Sequence, residues 1–358
     1  MKHCVARSRT KAREVNLKTD KGRGNGGKHQ HQHQHQQHQH LYPSGTTSCG
    51  RRGSKQVLRA IAKRPEKFDG VEGWKWPVME PVSTECEHAD QEKIGEETLC
   101  KLEFDVLDSG EGVKALRRFN DALDRLSANP NWERALEPVW AEMAYNLETF
   151  NPVFTACMLK VQCTVGSSDY VARDDCLQNL IQPLAGEYGL HEGDRLGKTH
   201  RALFSDWYTS VTGNPLSRIL KRSGSTGDLK PRAGQLLFAQ MMRDVSTGGG
   251  AFSQPLEQAS YALGYNLAVE YLANPEKTWL LDSFQGLSRD LRLEEQGRKI
   301  DWEFLEVHAL GEKEHADIGH RAVTIFVPAD HAGVVQKALQ DHDRDFATYY
   351  NELARVLE

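Results

Sequence analysis

The sequence lacks the features that identify membrane, secreted and small disulfide-bonded proteins. No apolar run approaches the roughly 20 residues that a membrane-spanning helix needs, and the N-terminus has no apolar segment of a secretory signal. The seven cysteines are an odd number, scattered over 358 residues without a Cys-x-x-Cys pair. This excludes a simple disulfide framework and gives no support to a zinc ribbon or thioredoxin-type site. We therefore expect a protein of a reducing compartment, the cytoplasm.

The charge that is present is unevenly distributed. Residues 1–64 contain 15 basic and two acidic residues, a net charge of +13, whereas residues 65–358 contain 30 basic and 48 acidic residues, a net charge of −18. An acidic body argues against nucleic acid as its partner. Targeting to an organelle remains open for the Arg-rich, acid-poor start.

Composition divides the chain into three segments. Residues 1–64 lack hydrophobic periodicity and include an alternating His/Gln tract, His29 to His40, so we predict a disordered tail. The tract could chelate metal, but a coil gives its histidines no fixed geometry, and a low-complexity tail is the favoured interpretation. Residues 65–109 predict an irregular N-terminal extension, and residues 110–358 predict a helical metal-binding domain.

Strand signals are nearly absent, and helical periodicity covers most of the third segment. The predicted helical segments are 112–128, 132–162, 174–187, 200–211, 234–245, 256–272, 277–290, 301–327 and 333–357. Pro138 and Pro152 are expected to interrupt or bound the second of these segments. The pattern predicts an all-α fold, a bundle of about seven main helices.

One of these helices carries a motif with metal chemistry. His308, Glu312 and His315 occupy positions i, i+4 and i+7, and at about 3.6 residues per turn they project from one face. Two imidazoles and a carboxylate suit a divalent metal, non-haem iron in particular. The alternative is an amphipathic helix with incidental histidines on a charged outer face. We favour the metal site, with His320 on a solvated flank of the same helix.

Two other segments offer further ligands. Glu187 ends one helix and His200 opens the next, so the two side chains can converge across the Gly- and Asp-rich turn between them. Glu270 shares an apolar stripe with Leu263 and Leu267, and a buried carboxylate usually has a cation partner. Helix capping is the alternative for the first pair, and a side chain that reaches solvent is the alternative for Glu270.

In this order the segments resemble the haem-oxygenase-like diiron oxidases and oxygenases. The resemblance covers residues 110–350 and rests on Glu before Tyr-Gly and a Gly-rich turn, His before Arg-Ala-Leu-Phe, Ala-Leu-Gly-x5-Glu and His-x3-Glu-x2-His. It implies a haem-oxygenase-like helical bundle that binds two Fe(II) ions per chain and uses O2 as co-substrate. The metal ligands that it implies are Glu187, His200, Glu270, His308, Glu312 and His315, with no catalytic residue beyond them.

Some positions depart from the family pattern or extend it. Glu312 stands where the family more often has Asp, and the turn before His200 is longer than usual. One of His191, Glu192 and Asp194, which lie in that turn, could replace Glu187 or His200 as a ligand. Some family members add a carboxylate from the first core helix, for which the candidates here are Glu142 and Glu148. Candidate pocket walls, for most of which plain core packing is favoured, are Tyr188, Phe204, Trp207, Tyr265 and Trp302.

The resemblance implies an enzyme, an O2-dependent non-haem iron oxidoreductase. Its substrate would be a small organic molecule such as an amine, an amino acid or a fatty acid, in specialised metabolism. The expected partners are that substrate, an electron donor of unknown identity and, as an option, a second copy of the chain in a homodimer. The alternatives are a cofactor-independent relative of the thiaminase-II-like or pyrroloquinoline-quinone-synthase-like type, and a non-catalytic metal-binding helical protein.

Overall fold

The structure is a computed structural model and describes residues 91–191 and 195–358. Helices contain most of these residues. The α-helices in these ranges are α1 Glu96–Glu103, α2 Glu111–Asp124, α3 Trp132–Asn146, α4 Phe150–Gln162, α5 Tyr170–Glu187, α6 His200–Thr212, α7 Leu216–Ser223, α8 Arg232–Thr247, α9 Pro255–Asp290, α10 Glu303–Phe326 and α11 Ala332–Leu357. Two antiparallel strands of two residues each, β1 Leu190–His191 and β2 Arg195–Leu196, lie between α5 and α6. The predicted all-α class is confirmed.

Several predictions fall outside the described residues. These are the tail of residues 1–64 with its His/Gln tract, the ligand candidates Glu192 and Asp194, and the side chains of His191 and Glu312. The described helices belong to one compact unit, residues 77–358. None of the helices in the described ranges is both long enough and apolar enough to cross a membrane.

The extension predicted to be irregular contains ordered helix. Helix α1 and the π-helical turn Phe104–Asp108 lie within residues 65–109, so the prediction is wrong for this stretch. Leu99 and Leu107 are fully buried there and anchor the segment on the core. Their signal is weak in the sequence because acidic residues surround them.

Prolines affect the helices less than their local preferences predict. Pro152 lies in the first turn of α4, where a missing N–H is tolerated, but Pro138 lies inside α3. The segments predicted as 256–272 and 277–290 form the single helix α9, which continues through Pro275. Leu272 and Leu280 are both buried, so packing holds the helix on either side of this proline.

Helix α9 is the centre of the bundle. Its residues 259–268 are all buried, as expected for a helix surrounded by others, and α2, α10 and α11 pack against it. Gly264 permits a close approach of α9 to α11, because a Cβ there would lie 3.1 Å from the Ala338 Cβ. Buried polar pairs fix the same interface. Tyr261 donates a hydrogen bond to Asp341 at 2.7 Å, and Tyr265 donates to Asp345 at 2.9 Å.

Candidate metal centre

The junction between α5 and α6 brings Glu187 and His200 together. Gly189 adopts a left-handed backbone conformation with φ of +75°, and Gly197 N donates a hydrogen bond to Gly189 O at 2.7 Å, which closes the hairpin. Thr199 then caps α6, because its hydroxyl accepts a hydrogen bond from Ala202 N at 3.2 Å. As a result, His200 Nδ1 lies 2.6 Å from Glu187 Oε2, and both side chains are largely buried.

His308 of α10 joins this pair. Its Nε2 lies 3.2 Å from His200 Nδ1, and the two ring centroids are 4.2 Å apart. Its Nδ1 contacts the carbonyl oxygen of Phe304, one turn earlier in α10. A carbonyl oxygen can only accept a hydrogen bond, so Nδ1 carries a proton, and Nε2 is the ring nitrogen that faces His200.

Glu270 and His315 form a second pair. Glu270, on α9, is 2% exposed, and its Oε2 lies 3.7 Å from His315 Nδ1 on α10. The alternative in which Glu270 reaches solvent is therefore wrong, because the carboxylate is buried within the bundle. Glu312 lies between His308 and His315 along α10, but the position of its side chain is outside the described part of the structure.

A cavity of about 100 Å³ connects the two groups. Five of the predicted ligands line it: Glu187, His200, Glu270, His308 and His315. The other described lining residues are Asn146, Leu147, Thr149, Phe150, Leu237, Met241, Val269, Ala273, Glu276, Lys277, Phe304, His342 and Phe346. The cavity thus combines an apolar wall with metal-type donors that come from α5, α6, α9 and α10.

His342 on α11 is a cavity residue that the sequence analysis missed. It is 2% exposed, and neither ring nitrogen has a hydrogen-bond partner among the described residues. Burial lowers the pKa of His342 to about 3, so the ring is neutral at physiological pH. A signal existed in the sequence, because His342 stands on the same apolar stripe as Leu339 and Phe346.

The extra carboxylate candidates have other roles. Glu142 accepts hydrogen bonds from Ala233 N at 3.1 Å and Gly234 N at 2.7 Å, and so caps the start of α8. Burial raises the pKa of Glu142 despite these two bonds. Glu148 forms an ion pair with Arg201 at the surface. Neither carboxylate is among the described residues that line the cavity.

The aromatic candidates for the pocket wall also lie elsewhere. Phe204 and Trp207 pack with Trp140, whose ring centroid is 4.9 Å from that of Trp207, in an aromatic core cluster. Tyr265 is buried against α11, and Tyr188 is exposed. The favoured interpretation as plain core therefore fits Phe204 and Trp207. The cavity wall takes its aromatic rings from Phe150, Phe304 and Phe346 instead.

His320 is not on a solvated flank, and that expectation is wrong. The residue is 6% exposed, and helix α1 covers it. His320 Nδ1 lies 2.7 Å from Glu103 Oε1, and Nε2 lies 2.8 Å from Glu96 Oε2. Burial lowers the pKa of His320, but the two carboxylates raise it more, and the net shift is upward.

Comparison with known proteins yields a structural likeness alone. No protein-family model and no curated protein matches the chain. Two crystal structures of a CADD-like protein of unknown function from Nostoc punctiforme are similar. One is 15% identical with a TM-score of 0.46, over 68% of this chain and 97% of that one. The other is 16% identical with a TM-score of 0.44, over 69% and 96%. A likeness of this degree carries no argument about activity.

Proposed function

We propose that the protein is a non-haem diiron oxidase or oxygenase that uses O2 to oxidise a small organic substrate. The observation that carries the proposal is the convergence of five carboxylate and imidazole side chains on one cavity inside the bundle. These residues are separated by up to 128 positions in the sequence, from Glu187 to His315, yet four helices bring them together.

The donor set fits iron by its chemistry. Carboxylates and imidazoles are the usual ligands of non-haem iron, and donors that share one ion at bond lengths near 2 Å lie about 3 Å apart. Glu187, His200 and His308 already lie in a chain of contacts of 2.6 and 3.2 Å. Glu270 and His315 would hold metal at the other side of the cavity, and Glu312 is placed between the histidines along α10.

Iron held there would supply the activation of O2, and the protein would supply the remaining functions. Phe304 fixes the tautomer of His308 through its carbonyl oxygen and thereby keeps Nε2 available as a ligand. Phe150 and Phe346 line the cavity and would give a substrate an apolar wall. The buried neutral ring of His342 offers one donor and one acceptor to a polar group of the substrate.

The test is anaerobic loading with Fe(II), followed by metal counting and mixing with O2. We expect about two irons per chain in the parent, as the family resemblance implies, and a large loss in a His308→Ala/His315→Ala variant. His331→Ala is the matched control, because His331 lies outside the cavity lining and bonds to Ser260. The His/Gln tract is unchanged in all three proteins, so it cannot produce a difference between them.

The outcomes separate the alternatives. Equal iron content in the double variant and the parent would show that the assigned site is wrong. Iron binding without reaction with O2 would favour a non-catalytic metal-binding protein. Turnover of a substrate by metal-free protein would favour the cofactor-independent relatives.

A further inference from the structure

A second group of metal-type side chains lies outside the cavity, where α1 covers α10. Glu96 and Cys100 are four residues apart on α1, and His320 faces them from α10. One ligand atom from each of these three residues can be chosen so that all three lie within 4.8 Å of one another. His320 Nε2 is 2.8 Å from Glu96 Oε2, and Cys100 Sγ is 3.9 Å from Glu96 Oε1.

Glu103 completes the arrangement from behind the histidine. Its carboxylate is 2% exposed, and its Oε1 lies 2.7 Å from His320 Nδ1. Histidines that bind metal commonly donate their other N–H to a carboxylate, which fixes the tautomer and directs the free nitrogen at the ion. Here Glu103 holds Nδ1, so Nε2 points toward Glu96, on the side of Cys100.

We propose that Glu96, Cys100 and His320 bind a zinc ion, with Glu103 as the residue that positions the His320 ring. This site is independent of the proposed iron centre. It needs none of the residues that line the cavity, and it remains if the proposed oxidase function is wrong.

The donor types select zinc. A thiolate, an imidazole and a carboxylate together suit Zn²⁺, which binds sulfur at about 2.3 Å and nitrogen and oxygen at about 2.0–2.2 Å. By contrast, no cysteine is among the described residues that line the cavity. Three protein ligands would leave a fourth zinc position for water, and the Glu96 side chain is exposed to solvent.

Closure of the site around an ion needs movement of one side chain. Donors on one zinc lie about 3–4 Å apart at these bond lengths, and the ligand atoms of the three residues already lie within 4.8 Å of one another. Glu96 can supply this movement, because its side chain is 68% exposed at the first residue of α1. His320 and Glu103 are buried and already in position.

Zinc would fasten α1 to the bundle at a second point. The residues just before α1 already pair with the end of α10. Ile94 N donates to Val327 O at 2.9 Å, and Ala329 N donates to Glu92 O at 2.8 Å. Glu96 is the first residue of α1, and Cys100 lies about one turn further along the helix. Metal binding to the folded chain alone should therefore stabilise the protein.

The experiment uses Co²⁺ as a spectroscopic probe of the zinc site in the full, metal-stripped chain. The background is His308→Ala/His315→Ala, which removes the candidate iron ligands on α10. We expect a sulfur-to-cobalt charge-transfer band in the near ultraviolet, displaced by stoichiometric Zn²⁺. Cys100→Ser should abolish the band, while Cys163→Ser, a half-buried cysteine at the end of α4, should retain it.

Two further variants separate ligation from a purely structural role. Glu96→Gln should weaken Co²⁺ binding at least tenfold without loss of folding, because Glu96 is exposed. Glu103→Gln should weaken it by about 10- to 100-fold while the band stays at the same wavelength, the pattern of a positioning residue. Absence of the band in the His308→Ala/His315→Ala background, or its survival when Cys100→Ser is added, would overturn the proposal. The group would then be only a set of ion pairs between α1 and α10.

Discussion

The histidines of α10 lie in two different environments, although they belong to the same helix. His308 and His315 face a cavity lined by aromatic and aliphatic side chains. His320 is five residues beyond His315, about 140° further round the helix, and faces carboxylates of α1. The face of the helix on which a histidine lies, and the element that packs against that face, therefore decide which groups the imidazole contacts.

The spacing of candidate ligands along one helix does not distinguish these two environments. Glu96, Cys100 and Glu103 on α1 repeat the i, i+4, i+7 spacing of the His308, Glu312, His315 motif. In α1 one of the three side chains is buried and one is exposed, and their common partner is a histidine of another helix. The spacing predicts a shared face, whereas the tertiary partner determines the chemistry.

Among the predictions, the largest loss in the free energy of unfolding should come from removal of the His320 side chain in metal-free protein. His320→Ala leaves the buried Glu103 carboxylate without its imidazole partner, and breaking a buried pair in this way costs about 3–5 kcal/mol. Urea unfolding at pH 6 measures the change in the free energy of unfolding. His331→Ala, which removes one bond to a neutral hydroxyl, should cost about 1 kcal/mol. Equal losses in the two variants would contradict the difference between a charged and a neutral environment.

The pH dependence of that loss has a definite sign. The pKa of His320 is raised in the folded protein, so the folded state holds the proton more tightly than the unfolded state. The contribution is fully present below the unfolded pKa of about 6.5 and is lost as pH rises through the folded pKa. The gap between the parent and His320→Ala should therefore narrow above neutral pH. A difference in unfolding free energy that grows above neutral pH would show that the folded state favours the neutral form of His320.

The contribution of His342 to the free energy of unfolding should depend on pH with the opposite sign and should be smaller. Its folded pKa is about 3, against about 6.5 when unfolded, so only the unfolded chain takes up the proton as pH falls below 6.5. Stability should fall by about 1.4 kcal/mol per pH unit, or about 2 kcal/mol by pH 5. Parallel urea titrations of the parent and His342→Phe from pH 7 to pH 5 measure this term.

Replacement of His342 by phenylalanine should reduce the acid sensitivity, because the side chain no longer titrates. Identical slopes in the parent and His342→Phe would mean that the cavity admits a proton on His342, contrary to its buried position without hydrogen-bond partners in the described structure.

The helical architecture could be predicted because it depends on local periodicity. The exceptions required tertiary information. Helix α9 continues through Pro275, because buried residues on both sides hold the two halves in one line. Helix α1 was missed, because its apolar residues are few and become a helix face only against α10 and α11.

The candidate cavity could be predicted in part, for the same reason. One helix face predicted His308 and His315 together, and the hairpin closed by Gly189 brings Glu187 to His200. The environment of His320 could not be predicted, because its carboxylate partners lie 217 and 224 residues away in the sequence. No local pattern links residues at that separation.

The smallest predicted change in the free energy of unfolding distinguishes the roles of the two carboxylates that contact His320. In metal-free protein, Glu96→Gln should change the free energy of unfolding by no more than about 0.5 kcal/mol, since exposed ion pairs contribute little. Glu103→Gln should cost about 1.5–3 kcal/mol, the range for a hydrogen bond to a charged group. Urea unfolding at pH 6 and low ionic strength compares them. Added zinc should then stabilise the parent more than Glu96→Gln, because the variant binds the ion more weakly. A large loss in metal-free Glu96→Gln would instead assign the exposed carboxylate a structural role and weaken its assignment as a zinc ligand.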